Sequence, residues 1–220
     1  DFYEKVKDCK AALINSPSNP TGRIQELGTL KGIERITEDL DIPLISDEVY
    51  KDLIYERENY MLRGPHVVTI NSFSKTFGMC GFRVGYLYSN DKKLVKKIID
   101  LKTHTSMNTN TLAQEMAYAA TKVPKEYLEK GLKIWKERRD LICNGLEDMG
   151  LDFWKPEGAF YVLPKVDNPE KVIWDLFKEH KVITYLGKWF GAPGRIRLSY
   201  ALDKEKIIEG LGRIKKCLGK

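Results

Sequence analysis

The sequence predicts an α/β fold with a mostly parallel sheet, followed by a smaller α+β domain. Through residues 11–102, short apolar runs that end at polar residues alternate with helical patterns, which is typical of a sheet with helices on its faces. A long amphipathic segment follows from Pro124 to Gly150, and the pattern changes after it. We therefore divide the chain into residues 1–123 and residues 124–220.

The first strands are short and apolar. Residues 11–16 (AALINS) stop at Pro17, as a buried parallel strand does. From Ile24 to Leu40, apolar side chains recur every three or four residues, which predicts a helix. Residues 42–47 and 67–72 are two further apolar runs, and they predict the second and third strands.

The connection to the fourth strand fixes its direction. Residues 82–89 (FRVGYLYS) are strand-like and follow the third strand after a short loop. A parallel crossover needs about a dozen residues or more, so we expect this strand to run antiparallel. Helices are predicted at residues 92–102 and 111–121. A long helix begins at Pro124, which suits a first helical turn, and ends near Gly150.

The second domain mixes short strands and helices. The helices are predicted at residues 169–180 and 203–218. The strand-like segments are residues 158–166, 181–187 and 195–201. We expect the long helix to link the two domains.

Composition excludes several classes of protein. The net charge of +6 comes from mixed-sign stretches and gives no concentrated basic face for nucleic acid. No apolar run approaches the roughly 18 to 20 residues of a membrane helix. The four cysteines contain no CxxC pair, and the three histidines have no metal-ligand spacing. We therefore predict a cytoplasmic protein without a metal site.

Polar residues follow three consecutive predicted strands. Ligands bind beyond the carboxyl ends of strands in an open α/β sheet. Each such residue alone is more simply explained as a solvated surface group, but their recurrence at three strand ends indicates a binding site. These residues are Asn19, Asp47, Tyr50, Ser72, Ser74 and Lys75.

Their chemistry suits pyridoxal phosphate. A desolvated lysine such as Lys75 is the usual source of a Schiff base. Sites for this cofactor pair the lysine with an acid that keeps the pyridine nitrogen protonated, and Asp47 can supply that charge. Hydroxyls and a guanidinium bind phosphate, and Ser72, Ser74 and Arg83 lie close enough in sequence to converge on one.

The motifs that contain these residues resemble those of a known family. The order and approximate spacing of five motifs are similar to those of class I and II aminotransferases, which are pyridoxal-phosphate enzymes of fold type I. The motifs are SNPTG (18–22), SDEVYKDLIY (46–55), SFSKTFGMCGFRVGY (72–86), PEGAFYVLPKV (156–166) and RIRLSYA (195–201). The resemblance implies that residues 1–123 are the later part of the cofactor-binding large domain, which is incomplete here.

The resemblance also implies residue roles. Lys75 matches the lysine that forms the Schiff base and moves a proton at the substrate. Asp47 matches the partner of the pyridine nitrogen, and Tyr50 and Asn19 match the pair that hydrogen-bonds the phenolic oxygen. The phosphate ligands would be Ser72, Ser74 and Arg83. Arg197, together with Asn19, would bind the substrate carboxylate.

Several positions stay open or depart from the family. Arg195 lies on the same strand face as Arg197 and is its rival for the carboxylate. The segment 184–201 is shorter than usual and lacks the proline common before Gly187, and Phe82 stands where a tryptophan is common. Further candidates for the pocket are Gly158, Phe160, Tyr185, Trp189 and Phe190. Strand packing explains Phe160 almost as well, and an aromatic cluster such as Tyr185, Trp189 and Phe190 is more often simple core.

The resemblance implies an aminotransferase that moves an amino group from an L-amino acid to a 2-oxo acid such as 2-oxoglutarate. Aspartate and aromatic amino acids are the favoured donors. A homodimer is expected, with residues 107–114 as a candidate contact, although a helix start explains that stretch equally well. Because family members are longer at the N-terminal side, we expect these 220 residues alone to be inactive or poorly folded, unless a second chain supplies the missing part. The alternatives are another fold type I reaction, such as a lyase, and the effector domain of a transcription regulator.

Overall fold

The computed structural model describes residues 2–220, which form two compact units. The first unit comprises the residues up to Pro17 and Ile24–Leu128, and the second comprises Ser18–Arg23 and Glu129–Lys220. Our division at residues 123 and 124 stays a prediction. The loop Ser18–Arg23 belongs to the second unit although it lies early in the chain.

The first unit is an α/β structure built on a four-stranded sheet. The strand order is β1-β2-β3-β4, with β1, β2 and β3 parallel and β4 antiparallel to β3. This confirms the mostly parallel sheet and the antiparallel fourth strand. Its elements are α1 (Phe2–Val6), β1 (Ala12–Asn15), α2 (Leu27–Asp39), β2 (Leu44–Asp47), β3 (Val67–Ser72), α3 (Phe73–Thr76), β4 (Gly85–Ser89), α4 (Lys92–Thr105) and α5 (Thr111–Ala120).

One face of this sheet forms the core with α2. Alternate residues of a strand point to the same face, and Ala12, Leu44 and Val67 are buried there against Leu30 and Ile33 of the helix. Because the first three strands are parallel, their carboxyl ends lie at the same edge. The residues that directly follow β2 and β3 are therefore placed near one another within the unit.

The fourth strand begins later than its sequence pattern indicates. Residues 80–82 form a short 3₁₀ turn, and Arg83 adopts a left-handed backbone with a φ of 54°, so pairing starts only at Gly85. The helix predicted from Ile24 starts at Leu27 because Glu26 is still extended. Asp91 caps α4 by accepting hydrogen bonds from the Lys93 and Leu94 N–H groups at 2.9 and 3.0 Å.

The second unit contains a three-stranded antiparallel sheet with the order β5-β7-β6. Its strands are shorter than the strand-like segments 158–166, 181–187 and 195–201, since each of these segments continues into a loop. Its buried side chains include Leu146, Leu176, Leu198 and Tyr200. The elements are α6 (Lys125–Asp148), whose first residues belong to the first unit, β5 (Tyr161–Val162), α7 (Pro169–Lys178), β6 (Tyr185–Leu186), β7 (Ile196–Ser199) and α8 (Lys204–Cys217).

Residues 2–220 contain neither a candidate membrane span nor a candidate metal site. None of the helices described there combines the length and the apolar character that crossing a membrane requires. Over the same residues, no cluster of three or more His, Cys, Asp or Glu side chains is arranged to hold a metal ion.

Candidate active site

Asp47 lies at the carboxyl end of β2 and is half-buried. Burial raises the pKa of its carboxyl above the ordinary value of 3.8, and the negative charge of Glu48 adds to this rise, while a hydrogen bond from the backbone of Val49 opposes it. In that bond the Val49 N–H donates to Oδ1 at 3.2 Å. Ionisation of this carboxyl is therefore unfavourable unless a cation or a further N–H donor interacts with it.

Tyr50 and Lys75 are neighbours in the first unit. Tyr50 lies in the turn after β2 and is 3% exposed, so its ring is fixed by packing. Lys75 lies in α3, directly after β3. Its Nζ atom is 5.8 Å from the centroid of the Tyr50 ring. Two residues to which the family resemblance gives catalytic roles therefore lie close together.

The serines after β3 are held by local hydrogen bonds. Ser72 caps α3, and its Oγ accepts a bond from the Ser74 N–H at 3.1 Å. The two hydroxyl oxygens are 2.9 Å apart, and Ser72 Oγ is 3.2 Å from the carbonyl oxygen of Val84. Ser74 is buried, at 7% exposure. The pair forms a small hydroxyl cluster next to the lysine.

Arg83 completes this segment. Its guanidinium donates one bond to the carbonyl of Cys80 at 2.9 Å, and its side chain is exposed. A guanidinium carries several N–H donors in a planar fork, so the bond to Cys80 leaves donors for an oxyanion. The left-handed backbone at Arg83 separates the turn from β4.

Arg197 lies in β7 of the second unit and is surrounded by aromatic rings. Its Cζ atom is 4.7 Å from the ring centroid of Tyr161, 4.8 Å from that of Tyr185 and 4.4 Å from that of Phe190. We call these three residues the aromatic collar. Arg197 Nη1 also donates a hydrogen bond to Asn19 Oδ1 at 3.0 Å. The two residues predicted to bind the substrate carboxylate are therefore in direct contact.

Arg195, the rival of Arg197, is already engaged. Its Nη2 is 2.7 Å from Asp152 Oδ2, and its Nη1 donates to the carbonyls of Leu163 and Asp152 at 2.9 and 3.0 Å. Its guanidinium also lies 4.3 Å from the centroid of the Trp154 ring. Because these groups occupy the N–H donors of Arg195, few remain for a substrate carboxylate. The geometry therefore favours Arg197 as the carboxylate ligand.

The aromatic candidates divide into two groups. Phe160 is buried and stacks on Trp135 at 5.2 Å between centroids, which is a packing role. Tyr185, Trp189 and Phe190 are 46%, 60% and 37% exposed. The interpretation of these three as simple core is therefore wrong. Two of them belong to the collar, and sequence reasoning missed the third member, Tyr161.

Gly22 explains why the loop SNPTG sits beside the segment PEGAF. Its φ is +67°, and a Cβ at this position would lie 2.6 Å from Pro156 Cβ and 2.9 Å from the Gly158 carbonyl oxygen. Its own carbonyl accepts bonds from the Glu157 and Gly158 N–H groups, both at 2.8 Å. Only glycine fits such a close approach. The contact and the two hydrogen bonds hold the SNPTG loop, which carries Asn19, beside residues 156–158.

One polar cluster escaped the sequence analysis. Glu48 is 2% exposed, and Arg63 holds it bidentately, with Nη1 at 2.8 Å from Oε1 and Nη2 at 2.9 Å from Oε2. Arg63 Nη1 also donates to Thr69 Oγ1 at 3.0 Å. Glu48 follows Asp47 directly in SDEVY, but Arg63 lies in an irregular segment, so no sequence pattern links the pair.

Comparison with known proteins identifies the family. A family model described as aminotransferase class I and II matches residues 2–214. The chain belongs to the class I and II aminotransferases. Enzymes of this family depend on pyridoxal phosphate. This membership agrees with the motif resemblance and with the α/β fold.

Curated aminotransferases are similar in sequence. The chain is 38% identical to a probable aspartate aminotransferase of Methanocaldococcus jannaschii, with 96% of this chain and 60% of the relative covered. It is 38% identical to an aspartate aminotransferase of Thermotoga maritima, with 97% and 57% covered. The chain thus spans about three fifths of the length of these curated relatives.

Solved aminotransferase structures are similar in fold. The crystal structure of aspartate aminotransferase from Thermotoga maritima matches with a TM-score of 0.90 at 38% identity, over 98% of this chain and 58% of that chain. An aromatic aminotransferase from Pyrococcus horikoshii matches with a TM-score of 0.91 at 32% identity, over 98% and 62%. The described part of the chain therefore shares the fold of about three fifths of these aminotransferase chains.

Proposed function

We propose that this chain carries the cofactor-binding and substrate-binding residues of a pyridoxal-phosphate-dependent aminotransferase. The observation that carries the proposal is the placement of the Lys75 amine against the buried Tyr50 ring, in the same unit as a half-buried carboxylate whose pKa is raised. The reaction would move the amino group of an L-amino acid to a 2-oxo acid such as 2-oxoglutarate.

The groups of the first unit fit pyridoxal phosphate. Lys75 offers an amine for its aldehyde carbon, and Asp47 offers a carboxylate for its pyridine N–H. The phosphate would be held by the hydroxyl pair Ser72 and Ser74 and by the guanidinium of Arg83. The family resemblance adds Tyr50 and Asn19 as partners of the phenolic oxygen.

Asp47 fits its role electrostatically. Its carboxylate is disfavoured by burial, so it gains most from a partner that carries an N–H and positive charge. A protonated pyridine nitrogen is such a partner. When bound, the cofactor supplies an electron sink for the carbanion at the substrate Cα, and Asp47 would keep that sink charged.

Lys75 would act as the acid–base group. Its amine, which lies 5.8 Å from the centroid of the Tyr50 ring, would accept the proton that leaves the substrate Cα and hold it for the next step. This role requires the amine to stay within hydrogen-bond reach of the substrate Cα, and the position of Lys75 on the short helix α3 restricts its movement.

Arg197 would bind the substrate α-carboxylate in a bidentate manner. Asn19 occupies one of its N–H groups, which fixes the rotation of the fork. We propose aspartate or an aromatic amino acid as the donor, since matched relatives are named aspartate, aspartate/prephenate and aromatic-amino-acid aminotransferases. We further propose that the enzyme is a cytoplasmic homodimer.

A coupled assay with two lysine variants tests the function. We expect the whole protein that carries this chain to convert aspartate or phenylalanine to its oxo acid in the presence of 2-oxoglutarate, with formation of glutamate and no release of ammonia. Lys75→Ala would lose about 10³-fold or more of this activity, since it lacks the nucleophilic amine. Lys97→Ala, an exposed position on α4, is the matched control.

Two results would contradict the proposal. Stoichiometric ammonia release without glutamate would indicate a lyase that uses the same cofactor. Full activity of Lys75→Ala would show that another residue carries the chemistry.

A further inference from the structure

The strand pairing of the second unit explains why Arg197 is enclosed. Arg197 lies on β7, the central strand, and Tyr185 is its direct partner on β6. Tyr161 lies on β5, where it pairs with Ser199, and so stands diagonally beside Arg197. Side chains at such positions lie on the same face of the sheet. The sheet therefore supplies two of the three collar rings.

The third ring comes from the short segment after β6. Gly187 permits a tight turn there, because a Cβ would lie 2.4 Å from the Ala192 carbonyl oxygen and 2.7 Å from that of Arg195. The residues Gly187–Phe190 form one 3₁₀ turn that ends at Gly191 with a φ of 74°. This turn brings the Phe190 ring to 4.4 Å from Arg197 Cζ. Residues 184–201, which are fewer than usual for the family, thus place the Phe190 ring on Arg197.

An enclosed guanidinium binds anions in a restricted way. Aromatic rings attract the cation and remove water from its faces, while its N–H donors all lie in the plane of the fork. With Asn19 on one N–H, the open approach to Arg197 is along the remaining edge. A planar carboxylate fits two parallel N–H bonds at that edge. A tetrahedral anion places an oxygen out of the plane, towards the rings.

We propose that Phe190 and Tyr185 are positioning residues that make Arg197 select planar carboxylates over tetrahedral sulfonates and phosphonates. This inference rests on the proposed role of Arg197 as the carboxylate ligand. It assigns Phe190 and Tyr185 a role in recognition that acts through Arg197 and does not require them to touch the reacting atoms.

Titration calorimetry with two unreactive probes tests this inference. The probes are 3-phenylpropanoate and 2-phenylethanesulfonate, which share a ring and a chain and differ in the anion. We expect the protein to prefer the carboxylate. In Phe190→Leu, the preference should fall about fivefold, because the sulfonate gains affinity once the ring no longer opposes its out-of-plane oxygen, while carboxylate affinity changes little.

Three further variants separate the roles. Phe190→Tyr keeps a ring and should keep the preference within about twofold. Phe177→Leu, the same change at a 50% exposed ring of the same unit, should leave the preference unchanged. Arg197→Ala should abolish carboxylate binding.

The outcomes distinguish the inference from the proposed function. An unchanged preference in Phe190→Leu, with binding lost in Arg197→Ala, would overturn the collar role and leave the carboxylate assignment standing. Unaltered binding in Arg197→Ala would overturn both. A protein that binds the two probes equally, or binds neither, would also overturn the inference.

Discussion

Asp47 is the residue of the candidate site whose environment most clearly alters its acid–base behaviour. Burial raises its pKa in the folded chain above the ordinary 3.8, so the folded state binds this proton more tightly than the unfolded state. The stability that this carboxyl contributes is therefore fully present below pH 3.8 and is lost as the pH rises through the folded pKa. At neutral pH the ionised carboxyl costs stability.

Asp47→Asn should therefore stabilise the cofactor-free protein at neutral pH. Asparagine keeps an oxygen for the Val49 N–H and removes the buried charge. We expect a melting temperature about 2 °C higher at pH 7, with the gain shrinking as the pH falls towards 3.8. Thermal melts of both proteins across this range measure it. An equal gain at pH 7 and below pH 4, or a loss at pH 7, would contradict the account.

The same substitution should weaken cofactor binding, since the pyridine N–H loses its charged partner.

Single residues such as Lys75, Asp47 and Arg197 could be proposed as site residues from the sequence because they occur in specific motifs. Tyr161 was not, because its relation to Arg197 depends on which strands are neighbours in the second sheet. The strand order β5-β7-β6 is not visible in the spacing of the residues.

Among the structural elements, the segment between β2 and β3 depends on the ion pair of Glu48 and Arg63. Glu48 is 2% exposed and Arg63 is 40% exposed. The pair joins the residue after Asp47 to a distant part of the loop and also bonds Thr69 of β3. It therefore fixes the chain directly after the carboxyl end of β2, where Asp47 and Tyr50 are placed.

Arg63→Met should destabilise the first unit by about 2 kcal/mol, because it leaves the buried Glu48 carboxylate without its partner. Urea unfolding measures the change. Arg35→Met is the control: Arg35 is 83% exposed and lies 3.9 Å from Asp39, so its loss should cost about 0.5 kcal/mol or less. If both variants unfold at the same urea concentration, the ion pair does not have the proposed role.

The elements also show where sequence patterns stop being informative. The apolar runs correctly predicted β1, β2 and β3, since buried parallel strands require such runs. The start of β4 was placed too early because the run FRVGYLYS continues through a turn. The close approach of Gly85 to Asn71, with a Cβ only 2.5 Å from its carbonyl oxygen, is a tertiary constraint that hydrophobicity alone does not reveal.

At the scale of the whole molecule, the proposed homodimer calls for an apolar contact surface. Within the segment 107–114, Met107 and Leu112 are 74% and 67% exposed. Aliphatic side chains exposed to this degree often mark contact surfaces when they are grouped. The segment was selected from its sequence, and its exposure supports the proposal.

Leu112→Glu should weaken the dimer about tenfold or more, since it places a charge in an apolar contact. Sedimentation equilibrium over a range of concentrations measures the association. Ile208→Glu, at a 58% exposed position on α8, is the matched control and should leave the association unchanged. Association that is identical in all three proteins would place the contact elsewhere.

The central claim is that Lys75 is the residue that bonds pyridoxal phosphate covalently. The most direct measurement incubates the protein with the cofactor, reduces the linkage with borohydride, and maps the labelled peptide by mass spectrometry. We predict one pyridoxyl phosphate group per chain, on Lys75, and no site-specific label in Lys75→Ala. Label distributed among exposed lysines, or unchanged label in Lys75→Ala, would contradict the account.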